Sequence, residues 1–113
     1  MSIWNTKSVT ESPEVILEQW RIFEAKSPYW EGVTRHFVGY NITDSEGRVS
    51  SAIQEFDPDT MQGITRSGRV YKLSGGPGWN SDAEYVWSRW CEINSIENQL
   101  DVTEEIKNGQ TSH

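Results

Sequence analysis

With 113 residues, one cysteine and an aromatic set of six Trp, four Tyr and three Phe, the chain has room for a single aromatic-rich core. It has no internal disulfide and no cysteine-built metal site. A formal charge of −7 disfavours nonspecific adhesion to DNA, RNA and anionic lipid. The opening MSIWNTKSVTESPE lacks a signal-peptide pattern, and no apolar run approaches the roughly 20 residues that span a bilayer. The expectation is one cytoplasmic domain over residues 1–113, with no membrane partner.

Residues 1–12 read as an irregular lead-in. Ser12-Pro13-Glu14 fits a helix start with proline at the first helical position, and Ile16, Trp20 and Phe23 would share its inner face. Residues 20–24 also alternate like a strand, so a short helix or turn giving way to a strand near Gln19–Ala25 is expected. Thr34–Thr43 is rich in aromatic and β-branched residues and reads as a strand. Asp44-Ser45-Glu46-Gly47 supplies a turn, and Arg48–Phe56 reads as the strand returning from it. After a type I turn at Asp57-Pro58-Asp59-Thr60, Met61–Arg66 and Arg69–Leu73 form two more strands around Ser67-Gly68.

Ser74–Gly78 breaks the sheet. Ser81-Asp82-Ala83-Glu84 has the spacing of a capping box, and a helix is predicted from there to about Asn94. Its inner stripe would hold Ala83, Val86, Trp87, Trp90 and Ile93, with Arg89 and Glu92 turned away. Ser95–Ile106 alternates weakly and suggests an edge strand, and Lys107–His113 a frayed tail. The fold class is therefore α+β. It is a strongly bent antiparallel meander of four to six strands, or a small partly open barrel, with one C-terminal helix packed on it. Both parities of residues 34–42 carry apolar side chains, so both faces should be covered. The helix takes one face, and Trp4, Trp20 and Trp30 are candidates for the other.

The runs Thr34-Arg-His-Phe-Val-Gly-Tyr40, Gly47-Arg-Val-Ser-Ser51, Thr65-Arg-Ser-Gly-Arg-Val-Tyr71 and Asp82-Ala-Glu-Tyr-Val-Trp87 resemble segments of a group of small uncharacterised bacterial proteins. The resemblance covers roughly residues 20–105 and implies a bacterial origin and a full-length domain. It carries over no activity, ligand or functional residue.

Several local patterns suggest chemistry and then lose it. The glycine-rich run before the helix could cradle a phosphate, but the Lys-Ser/Thr ending of a P-loop is missing, and Ser81, Asp82 and Glu84 already supply acceptors and negative charge. Glu55, Asp57 and Asp59 resemble part of a cation loop without its terminal glutamate, and a turn accounts for Asp57 and Pro58. Cys91 sits beside the helix stripe and reads as a packing thiol. His113 lies in the tail, which leaves His36 as the candidate general base of a small enzyme; it would need a cleft and a serine or carboxylate within reach.

No catalytic residue, metal or cofactor is assigned. The most informative set is Arg35, Phe37, Arg66, Arg69 and Tyr71, because arginines beside exposed rings can grip a carboxylate or phosphate and stack on planar groups. The expected function is a small non-catalytic binding or adaptor module that contacts an acidic or extended protein segment through these residues. A nucleotide or single-stranded nucleic-acid binder using the same surface is the competing class.

Overall fold

The computed structural model describes residues 14–109. The expected lead-in with Trp4, and the last four residues of the expected tail, lie outside the described residues.

The chain enters on β1 (Glu14–Lys26), a strand where a helix start was expected. Its apolar pattern explains the ambiguity. Gln19 takes a positive φ of 49°, and the register against the next strand slips between Glu18 and Arg21. This bulge exchanges the two faces of the strand. Val15 and Leu17 before it, and Trp20 and Ile22 after it, all join one core cluster, while Phe23 and Ala25 join the opposite one. Inserting one residue into a period of two leaves gaps of three, which imitate helical spacing.

The remaining elements are β2 (Thr34–Asn41), β3 (Glu46–Val49), β4 (Ile53–Asp57), β5 (Gln62–Thr65), β6 (Val70–Leu73), α1 (Ser81–Ile93), β7 (Asn98–Asp101) and α2 (Thr103–Lys107). The α+β class holds, with α1 packed on a mixed, mostly antiparallel open sheet. The single meander of four to six strands does not. The seven strands run in the order β3-β2-β1-β6-β5-β4, with β7 paired to the end of β1. Two antiparallel ribbons meet at a parallel seam between β1 and β6. The expected strand Arg48–Phe56 is two strands: β3 pairs with β2, residues 50–52 cross over, and β4 pairs with β5. Only part of the 95–106 segment is strand. Beyond β7 it turns into the short helix α2, whose Ile106 is buried in the core.

Core residues occupy both sides of the sheet. One cluster, including Trp20, Ile22, Phe37, Tyr71 and Ile106, fills the concave side. Bending brings the ring of Phe37 on β2 within 5.7 Å of Phe56 on β4 and 5.5 Å of Tyr71 on β6. Gly63 makes room for it, since a Cβ there would lie 2.5 Å from the Phe37 ring. Trp20 belongs to this side, as expected. Trp30 does not; it packs toward α1.

The second cluster lies under α1, where Phe23, Val38 and Val49 meet Ala83 and Trp87. Asn80, not Ser81, caps the helix, its side-chain oxygen accepting from Ala83 N at 3.0 Å. The expected capping glutamate, Glu84, instead receives a hydrogen bond from Arg21. The helix N-terminus presses so close to the β3 backbone that a Cβ on Gly47 would fall 2.4 Å from the Asp82 carbonyl oxygen. The predicted stripe holds through Trp90 but not at Ile93, which is 53% exposed. No helix among the described residues is long and apolar enough to cross a membrane.

Candidate functional site

The aromatic face of α1 leads to a cavity walled by rings. Phe23, Trp87 and Trp90 form a stacked run, with ring centroids 4.9 and 5.2 Å apart and planes within 13° and 12° of parallel. At its end, Trp90 meets His36 at 4.4 Å and Trp30 at 6.3 Å, both rings tilted against it. These three side chains, with Glu31, Thr34, Ser51, Ala52, Arg66 and Asn94, line a cavity of about 310 Å³.

Three separate chain segments are pinned to build it. Trp30 sits in the loop between β1 and β2, which Ser27 ties to the end of α1: its hydroxyl donates to Asn94 O at 2.8 Å and accepts from Tyr29 N at 3.2 Å. Asn94 in turn donates from both its backbone and side-chain nitrogens to Trp90 O, at 3.0 and 2.9 Å. Residues 50–52 are bound to β2, because Ser50 N donates to Phe37 O at 2.9 Å and Ser50 Oγ accepts from Phe37 N at 2.9 Å. Arg66 is fixed through its backbone, N to Ala52 O at 2.8 Å, and its neighbour Ser67 donates to Ser51 Oγ at 3.1 Å. Its guanidinium remains exposed and forms no ion pair among the described residues.

His36 forms part of the cavity wall yet is only 3% exposed. Nδ1–H donates to Ser50 O at 2.8 Å, and Nε2 accepts from the Thr34 hydroxyl at 2.7 Å. Burial lowers its pKa to about 4, the Ser50 carbonyl opposes that shift, and Arg66 adds to it. A hydroxyl on an imidazole has the outline of a nucleophile and its base. The balance here is wrong for it: the imidazolium such a base must become is disfavoured, and a carbonyl stands where a carboxylate would stabilise it. His36 is a neutral hydrogen-bonding strut. Cys91, half-buried on α1, has its thiol pushed up to about 11 by burial and stays protonated at neutral pH.

The five residues singled out in the sequence separate. Phe37 and Tyr71 are 0% and 1% exposed and belong to the concave core, so they offer no ring to a partner. Arg69 is buried at 6%. Arg35 is half-buried against Glu24, with Nε 3.1 Å from its carboxylate. Arg66 and Arg35 do come together along a second hollow of about 350 Å³, which continues from the first through Thr34, Ala52 and Arg66 and runs beside Ile53 and Gln54. The rings that accompany Arg66 are thus Trp30 and Trp90. Trp30 carried one sequence signal, a second aromatic residue beside Tyr29 in a short loop between strands; nothing local tied it to position 90. Trp30 Nε1–H is buried without a hydrogen-bond partner among the described residues, an arrangement that costs on the order of 1–3 kcal/mol.

In the acidic turn, Asp57 Oδ1 accepts from Asp59 N at 2.9 Å, the bond that an Asp-Pro turn calls for. No group of three or more His, Cys, Asp or Glu side chains among the described residues could hold a metal ion. The fold and the site together define a small α+β domain with an aromatic pocket opening onto an arginine-edged groove. No protein-family model, curated protein or solved structure matches the chain, so the geometry alone carries the functional reading.

Proposed function

We propose that this chain is a non-catalytic binding module that holds an extended, acidic segment of a protein partner. The observation that carries the reading is the position of Arg66. Its exposed cation stands where the groove beside Arg35 opens into the tryptophan pocket, with no carboxylate of the described residues paired to it. The groove suits an extended chain, the pocket an anchoring side chain, and the guanidinium a carboxylate. The formal charge of −7 disfavours polyanions such as single-stranded nucleic acid.

Panning a phage library of random peptides against the full chain tests this. Enrichment of sequences containing Asp or Glu is expected, with capture lost on Arg66→Glu. Peptides recovered equally well by the Arg66→Glu protein would overturn the reading. Tighter binding of oligodeoxythymidine than of any recovered peptide, weakening steeply with salt, would replace it with the nucleic-acid class.

A further inference from the structure

Opposite charges share the aromatic pocket without neutralising each other. Glu31 and Arg66 both line it, both are exposed, and neither is ion-paired with the other or with any other described residue. The same cavity is lined by three rings set at wide angles, Trp30 at 49° and His36 at 55° to the plane of Trp90. At about 310 Å³ the cavity lies at the small end of ligand-site volumes. It has room for one ring with its attached groups, and not for an element of a folded domain.

We propose that the pocket receives an aromatic side chain that the partner presents between a carboxylate and a cationic side chain. Trp30 and Trp90 are half-buried and line the cavity, so an entering aromatic ring can pack on indole surface and gain contacts beyond its buried area that an aliphatic group does not. The carboxylate goes to Arg66 and the cation to Glu31. A segment bearing acid on both sides of the ring meets repulsion at Glu31; one bearing base on both sides meets it at Arg66. The pocket therefore reads the order of charge about an aromatic residue, a narrower requirement than general acidity. This rests on the binding-module reading and specifies the occupant of its deepest point.

Capped tripeptides provide the probe: Glu-Trp-Lys, Lys-Trp-Glu, Glu-Trp-Glu, Lys-Trp-Lys and Glu-Ala-Lys, each acetylated and amidated, titrated into the ¹⁵N-labelled full chain. The indole N–H signals of Trp30 and Trp90 should shift. One of the two mixed-charge orders should bind about fivefold more tightly than both like-charged peptides, the scale of a partly exposed ion pair. The double variant Glu31→Lys, Arg66→Glu should prefer the other order. Should that variant fail to fold, Glu31→Gln and Arg66→Gln should each erase the preference. Equal binding of the Ala and Trp peptides, or an unchanged preference in the swapped or neutralised proteins, would overturn the proposal. Phage-selected peptides that bind through Arg66 without shifting either indole signal would overturn it while leaving the module intact. Tripeptide binding as described, with no longer peptide ever selected, would retain the pocket and remove the protein-segment reading.

Discussion

At the scale of single residues, His36 couples the pocket to pH. Both of its ring nitrogens are occupied, and it is nearly sealed from water, so the folded protein resists protonating it until about pH 4. An unfolded chain takes up that proton near 6.5. The sign follows from linkage: between those values the unfolded state holds more protons, so stability falls as pH drops from about 6.5 toward 4 and is unaffected by this group above that window. The full contribution is about 3 kcal/mol, from a conversion near 1.4 kcal/mol per pKa unit. Urea denaturation at pH 7.5, 5.5 and 4.5 should show this loss in the native chain and a flatter profile in His36→Gln, the difference isolating His36 from carboxylates that titrate nearby. Parallel profiles for the two proteins would mean that His36 does not stay neutral. The residue types at the site were visible in the sequence, but their burial was not. Arg69 and Arg66 stand three positions apart with the same chemistry, yet one is buried and one exposed.

At the scale of elements, alternation was readable wherever a strand was regular. Val38 opposite Val49, and Phe37 turned to the other side with Phe56, follow from a period of two. It failed at β1, where the Gln19 bulge breaks that period, and at the start of α1, where Asn80 rather than Ser81 holds the capping geometry. These two misreadings are physically one joint, because Asn80 Nδ2 donates to Gln19 Oε1 at 2.9 Å. Deleting Gln19 would rotate Val15 and Leu17 out of the concave core, and no cooperative unfolding transition should remain in urea. Asn80→Ala keeps the register and removes only the cap and this contact. It should cost about 1 kcal/mol, the usual value for an N-cap. A deletion variant with a native-like transition would show that the bulge does not set the register.

At the scale of the whole molecule, two apolar parities announced a sheet covered on both faces, and that much of the architecture was legible. The identity of distant neighbours was not. β1 lies beside β6 in parallel and beside β7 in antiparallel, partners separated from it by more of the chain than any local pattern spans, and positions 30, 66 and 90 meet at one pocket for the same reason. The last described segment completes the arrangement. Val102 N donates to Ile22 O at 2.9 Å, Thr103 Oγ accepts from Ile22 N at 2.9 Å, and α2 then lowers Ile106 onto the concave core beside Trp20 and Phe37. If α2 closes the core and is no mere appendage, Ile106→Ala should cost about 2–4 kcal/mol, the transfer of the lost methylenes plus the void they leave. Glu105→Ala on the exposed side of the same helix should stay within about 0.5 kcal/mol. Both are read as shifts in urea midpoint at constant slope. Against a total stability on the order of 5–15 kcal/mol for a small domain, the first change removes a large share. Equal midpoints for the two variants would show that the sheet holds its concave core without α2.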